Sequence, residues 1–333
     1  GGAGLAAREV ETASADAAGR FLQVVEAAFA SWDADKDGSL SADEVNRLVL
    51  SQEVRGGQAA AVAALKRATR SRLVKLPPLT LGNLRTLASG RPSEKGMPDL
   101  GAMFEGSLKR IQGMQRELFS PGGPSLHTIR QGRMGNCFSL APLAALVNQR
   151  PEYVRQEMIR AQPDGGYVVR FGRQQVRGSP PTDAEIALGA GNEDGGLWVN
   201  VYEKAAGLAH NDKKPAAKRE ATGLDALNRG GSAGTQLAFI TGHEMFRVSC
   251  QVAKQKDLPP AEMQKHLAEL RAALESATRE RRLMTCGTLR TSIPGITPNH
   301  AYAILGYSRE SDLVRLWNPH GDDRLVAGAP GRE

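Results

Sequence analysis

Residues 131–137 read Gln131-Gly132-Arg133-Met134-Gly135-Asn136-Cys137, and the apolar run FSLAPLAAL follows at 138–146. The run predicts a helix that begins at Cys137. A thiol at a helix N-terminus is a poised nucleophile, because the helix dipole and a nearby cation favour the thiolate. Gln131, six residues earlier, carries a side-chain amide that can donate to a developing oxyanion, with the backbone N–H of Cys137 as the second donor. Gly132 and Gly135 let the intervening loop fold tightly. Pro142 removes one backbone bond from the helix and predicts a kink. A cysteine on its own is more often a buried structural residue than a nucleophile, so this reading depends on company elsewhere in the chain.

That company is expected far along the sequence, since the members of such sites are neighbours in space. His300, in PNHAYAILGY (298–307), stands at the head of an apolar stretch, and Asn318, in LVRLWNPHG (313–321), closes the next one. Residues 301–307 and 313–317 bracket a polar turn and predict a β-hairpin. Adjacent antiparallel strands set the Asn amide against His300 and fix its tautomer. His320 is open between a supporting group and a loop residue. Cys250 and Cys286 lack such company and are expected in the core, while His127, His210, His243 and His266 have no metal-ligand spacing.

These segments together resemble the calpain family of cysteine peptidases. QGRMGNCFSLAPLAAL resembles that family's QGxxGDCW helix, PNHAYAILGY its GHAYxV strand, and RLWNPHG its RxRNPWG turn. LWVNVYEKAAGL (197–208) is similar to its LWxxxxEKAYAKL segment, residues 239–242 to its LTGG turn, and Leu283-Met284-Thr285-Cys286 to its LMGCS. The similarity covers about 118–321 in the family's order. It implies a papain-like two-lobed core, a helical lobe bearing Cys137 (about 118–240) and a β-rich lobe bearing His300 and Asn318 (about 241–333). It also implies cleavage of proteins or peptides, with Gln131 in the oxyanion hole, Cys137 as nucleophile, His300 as base and Asn318 as orienter. The chain departs from the pattern at Asn136 (for Asp), Phe138 (for Trp) and His320 (for Trp). The family's core also binds calcium through loop carboxylates; Asp183, Glu185, Glu193 and Asp194 are candidates that no motif assigns.

Residues 33–44 read DADKDGSLSADE. Asp33, Asp35 and Asp37 occupy positions 1, 3 and 5 of an EF-hand loop, Gly38 position 6, Ser39 position 7, Ser41 position 9 and Glu44 position 12. Hard oxygens suit Ca²⁺, Gly38 permits the sharp turn, Ser39 offers its carbonyl and Glu44 can close the sphere in a bidentate manner. Helical spacing on both sides (Phe21, Val24, Val25, Ala28, Phe29, then Val45, Leu48, Leu50) supplies the frame. Aligning Leu79-Thr80 with Leu40-Ser41 makes 72–83 a partner hand. Arg72, Val74 and Leu76 at its first ligand positions and Asn83 at its twelfth leave it unable to hold the metal.

The rest of the chain bounds these readings. Its 333 residues allow two or three domains, its 41% hydrophobic content suits a globular protein, and no apolar run is long enough for a membrane span. The net charge of +7 is distributed in Lys/Arg patches without interleaved aromatics, the pattern of solvated faces rather than a nucleic-acid surface. Three cysteines are too few for a disulfide framework and favour a reducing, cytoplasmic setting, although a chain opening on Gly1-Gly2 gives no address. The expected class is therefore α+β: an all-α EF-hand region (1–90), a linker or pro-segment (91–117) with one helix at about 101–117, and the peptidase core (118–333). Further helices are expected at 58–70, 197–208 and 260–282, and a strand at 167–171. Two rival functions stay open: a catalytically inactive, calcium-responsive scaffold or inhibitor, and an acyltransferase using the same Cys-His-Asn chemistry. Substrate preference and oligomeric state are not legible.

Overall fold

The computed structural model describes residues 2–70, 74–89, 97–250 and 258–321, with side chains from Asp16 onward. Its first part is helical: α1 (Gly2–Trp32), α2 (Ala42–Leu50), α3 (Gly56–Thr69), α4 (Leu81–Ser89) and α5 (Leu100–Gly113). The apolar spacing is the cause. Phe21, Val25, Ala28 and Phe29 share a buried face of α1, and Val45, Leu48 and Val49 one of α2. α3 is buried almost all round, with no exposed surface from Ala59 to Leu65; its small side chains let α1, α2 and α5 close around it. Phe104 of α5 meets Phe21 edge-on, ring centroids 6.2 Å apart. α5 stops at Gly113, short of the expected 117, and Met114 turns the chain away in an extended conformation.

A mixed helix and sheet region follows. α6 (Cys137–Gln149) leads into the short α7 (Pro151–Tyr153) and a sheet of β1 (Ile159–Ala161), β2 (Tyr167–Phe171) and β3 (Gln174–Gly178), antiparallel and in chain order. Next come α8 (Asp183–Leu188), α9 (Trp198–Asp212), α10 (Gly223–Asn228), α11 (Ala233–Thr241) and α12 (Pro260–Arg279). The second sheet, β4 (Met284–Gly287), β5 (Ala301–Ser308) and β6 (Leu313–Trp317), is antiparallel and also in chain order. The hairpin expected at 301–317 is β5–β6. α6 is continuous through Pro142, so the missing backbone bond does not break the helix. The residues of α6 from Phe138 to Val147 are buried, and packing on every side outweighs one missing backbone bond. Gly231 lies so close to Phe138 that a Cβ there would stand 2.6 Å from the ring.

One hydrophobic cluster runs from Phe21 through α3, α6 and α9 to Ala303, without a gap between the helical first part and the rest. α8 is the main contact between them. Ala184 to Leu188 are buried, with α2, α3 and α5 packed on them. Thr182 Oγ1 donates to Val49 O at 2.6 Å, Asp183 accepts from Gly56 N at 2.8 Å, and Arg110 Nε donates to Ile186 O at 2.7 Å. Arg67 donates to Ala187 O. Two guanidiniums from the first part thus take up carbonyls at the C-terminal end of α8, the end at which a helix favours cations. Among the described residues no helix is long and apolar enough to cross a membrane.

Candidate active site

Cys137 is the first residue of α6, so its N–H has no acceptor within the helix and stays available as a donor. The helix is locked from below. Ser139 Oγ and Tyr202 Oη lie 3.1 Å apart, Tyr202 Oη also donates to Ser139 O at 3.0 Å, and Gln236 Nε2 donates to Tyr202 Oη at 3.0 Å. Phe138 stands edge-on to the His210 ring with centroids 5.7 Å apart, and His210 Nε2 pairs with Gln236 Oε1 at 2.7 Å. His210 is therefore a partly buried histidine with its hydrogen bond satisfied.

β5 packs on α6 and carries the second group. Ala303 of β5 pairs with Trp317 of β6. Continuing that register one step sets Asn318 opposite Tyr302, on the face His300 shares by the two-residue period of a strand. His300 Nε2 lies 2.8 Å from Asn318 Oδ1. A carbonyl oxygen only accepts, so this bond puts the ring proton on Nε2 and leaves the lone pair of Nδ1 free to take a proton. His300 is buried, and its pKa is lowered, first by burial and also by His320, against the raising effect of its hydrogen bond to Asn318. The His320 ring stacks on that of His300 with centroids 4.5 Å apart and planes 6° from parallel. The open reading of His320 thus closes in favour of direct contact with His300.

Gln131 ties the two halves together. Its backbone N donates to Pro319 O at 2.7 Å, so the loop before Cys137 is bonded to the turn after Asn318. Its side chain is buried; Nε2 donates to Met134 O, leaving one amide hydrogen for another acceptor, and Oε1 has no partner. The four candidate residues therefore sit on segments that touch.

Sequence reasoning missed two supports. Thr288, just beyond β4, holds His300 by the backbone: Thr288 N donates to His300 O at 2.8 Å and His300 N donates to Thr288 Oγ1 at 3.0 Å. Glu203 of α9, fully buried, accepts from Asn136 Nδ2 beside Cys137. Its signal was a carboxylate inside the apolar segment 197–208. Cys250 is exposed, which corrects its expected place in the core. Cys286 is half-buried on β4 and its thiol is pushed up to about 11, mainly by burial.

Within 33–44, the carboxylates of Asp33, Asp35 and Asp37 each offer an oxygen within 4.8 Å of the others. Gly38 (φ +83) and Lys36 (φ +60) take left-handed conformations that curl the loop around them. Glu44 closes a capping box with Ser41 at the start of α2 and also accepts from Ala34 N; the Ser41 hydrogen bond first, then that of Ala34, holds its pKa down to about 2 against desolvation. The donor set fits a hard cation: all ligands are oxygens, and three carboxylates already converge. Leu40 N donates to Leu79 O at 3.1 Å in an isolated antiparallel bridge, so the two segments aligned as paired hands meet. Arg72, at the head of the second segment, lies outside the described residues. Asn83 is on α4 and its side chain donates to Pro78 O. Of the unassigned core carboxylates, Asp183 pairs with Arg116 at 2.7 Å, and Glu185 caps α8 and pairs with Lys204 at 2.6 Å. Both are already satisfied by protein groups.

A thiol on a helix N-terminus, packed against a sheet whose hairpin pairs an imidazole with an amide, defines the cysteine-peptidase class. A model described as the calpain family cysteine protease matches residues 107–328, about two thirds of the chain, and the chain belongs to that family. No curated protein matches the chain.

Proposed function

We propose that the protein is a calcium-associated cysteine endopeptidase working through Cys137, His300 and Asn318. The observation that carries this reading is the 2.8 Å contact of His300 Nε2 with Asn318 Oδ1, which leaves Nδ1 as the free base. The Cys137 sulfur attacks the scissile carbonyl carbon while its proton passes to His300 Nδ1. The oxyanion is met by the Cys137 N–H and the remaining Gln131 amide hydrogen. His300 then protonates the leaving amine. Water, deprotonated by the same nitrogen, hydrolyses the acyl-enzyme. Asn318 keeps the ring oriented throughout.

Asp33, Asp35, Asp37, the Ser39 carbonyl, Ser41 and Glu44 would hold Ca²⁺, whose charge offsets the repulsion among the carboxylates. The Leu40–Leu79 bridge supports a paired-hand arrangement in which the second hand only braces the first. Self-processing of the N-terminal region belongs to the same proposal. One observation favours a second reading, an inactive or resting scaffold: Gln131 already donates to Met134 O instead of pointing both hydrogens outward. Casein hydrolysis by wild type and Cys137→Ser, each with Ca²⁺ and with chelator, separates the readings. Cleavage lost in the variant supports the peptidase, and its calcium dependence supports the metal's role. Absence of cleavage in both conditions, together with failure of an epoxide probe to label Cys137, supports the scaffold.

A further inference from the structure

Glu203 has no part in the mechanism above, yet it is a carboxylate with no exposed surface on α9, at the centre of the cysteine-bearing region. Its two oxygens face two different segments. Oε1 accepts from Asn136 Nδ2, the residue preceding Cys137, and Oε2 accepts from Ala190 N at 2.6 Å, in the turn that leaves α8. Asn136 is itself fully buried, and its backbone carbonyl accepts the first helical bonds of α6, from Ser139 N at 2.9 Å and Leu140 N at 3.1 Å. Fixing the Asn136 side chain therefore fixes the peptide from which the Cys137 N–H projects. The room around the carboxylate is shaped for it: a Cβ on Gly189 would stand 2.6 Å from Glu203 Oε2.

We propose that Glu203 is a positioning residue, clamping Asn136 to the Gly189–Ala190 turn and so aiming the Cys137 N–H and sulfur at the reacting carbonyl; this rests on the peptidase reading. The chemistry explains why a carboxylate stands there. Two donors converge on it, and a carboxylate presents an acceptor oxygen to each. Glutamine has one acceptor and must turn its amide hydrogens on one of the donors. The charge is costly in a dry interior, and Glu203 is accordingly pushed up to about 7 by burial, against lowering by the Ala190 hydrogen bond, Arg110 and Asn136. Arg110 of α5 is the charged group that faces it, itself shared with Glu193, and Tyr202 is the titratable neighbour on α9.

The test compares two reagents on Cys137 in the full chain. A peptidyl chloromethyl ketone needs the oxyanion donors and the base, whereas iodoacetamide needs only an accessible thiolate. In Glu203→Gln we expect the chloromethyl-ketone rate to fall by at least about tenfold, as small misplacements of reacting groups do, with iodoacetamide within about twofold of wild type. Glu203→Gln combined with Asn136→Asp restores a donor facing an acceptor and should recover most of that rate. Gly189→Ala, which presses on the carboxylate from the other side, should reproduce the selective loss. Retention of the wild-type reagent preference in both single variants overturns the proposal. A wild type with no preference for the chloromethyl ketone sinks the peptidase reading instead. Amide hydrogen exchange of peptides covering 134–138 and 188–191 then decides on the clamp: faster exchange of both in Glu203→Gln supports it, and unchanged exchange overturns it.

Discussion

His320 is where the chain departs from its family's Trp, and the structure gives the substitution a consequence. An imidazole stacked 4.5 Å from His300 covers the His300–Asn318 bond as an aromatic ring would, but it also adds repulsion whenever it carries a proton. Both that repulsion and the burial lower the pKa of His300. His320→Gln removes the repulsion and loosens the cover, so both changes move the His300 titration upward. The acid limb of kcat/KM should follow to higher pH, and the His300 Cε1–H resonance followed by NMR checks it; a downward movement would exclude the stacking account. Glu203 gives a second pH effect, on stability. Its folded pKa of about 7 exceeds the ordinary carboxyl value of 4.5, so the folded state holds a proton that the unfolded state has released between those values. The associated stability is full below about 4.5 and is lost as pH rises through about 7, by at most roughly 3 kcal/mol at 1.36 kcal/mol per unit. Urea unfolding at pH 5 and pH 8 should show this decline in wild type and a flatter profile in Glu203→Gln. In the loop 33–44, Asp33→Asn removes a ligand charge and should weaken calcium binding by more than about tenfold in calorimetry.

The elements that were legible before the structure are those with a local cause. α6 follows from an apolar run with a start signal, β5–β6 from two apolar runs around a polar turn, and α1–α2 from helical spacing on either side of a complete ligand pattern. β2 could be read because YVVRF is β-rich, whereas its partners could not: β1 has three residues, and β3 is the polar QQVRG with an exposed outer face. Pairing across the sheet makes them strands, and pairing is not visible in two such short runs. α8 escaped for the same reason. It is six residues long, and what holds it are contacts from more than a hundred residues away: Val49, Gly56 and Arg67. The candidate site divides likewise, since Cys137, His300 and Asn318 sit in their own patterns while Thr288 and Glu203 act only through the fold. Thr182 shows what such an element is worth. Its hydroxyl caps α8 by accepting from Glu185 N at 3.0 Å and donates to Val49 O on α2. Thr182→Val should cost about 1–2 kcal/mol by loss of the cap and of a buried bond, measured by thermal or urea unfolding. A cost below about 0.5 kcal/mol would mean that α8 does not depend on this contact.

The continuous core bears directly on whether the first hundred residues are a pro-segment to be discarded. Lys66 of α3 and Arg70, the residue that caps its C-terminal end, both reach Asp225 of α10, at 2.8 Å and 2.7 Å, and all three groups are largely shielded from water. Asp225 also accepts from Thr222 at 2.7 Å. Removing that carboxylate leaves two cations with little water and without their shared counter-ion, a situation that typically costs about 3 kcal/mol, so Asp225→Ala should unfold markedly earlier in urea than wild type. Removing those hundred residues altogether would do more, because it would also uncover the buried residues of α8 and leave the carbonyl of Ala187 without its guanidinium. A cut within 91–117 therefore nicks the molecule without releasing its N-terminal piece. If wild-type protein incubated with Ca²⁺ acquires a new N-terminus in that interval and Cys137→Ser does not, both fragments should still elute together in native size-exclusion chromatography. They should separate only in denaturant. Elution of a free N-terminal fragment from a core that keeps its melting temperature would show instead that the α3–α8 and α3–α10 contacts contribute little, and would make this region a detachable pro-segment after all.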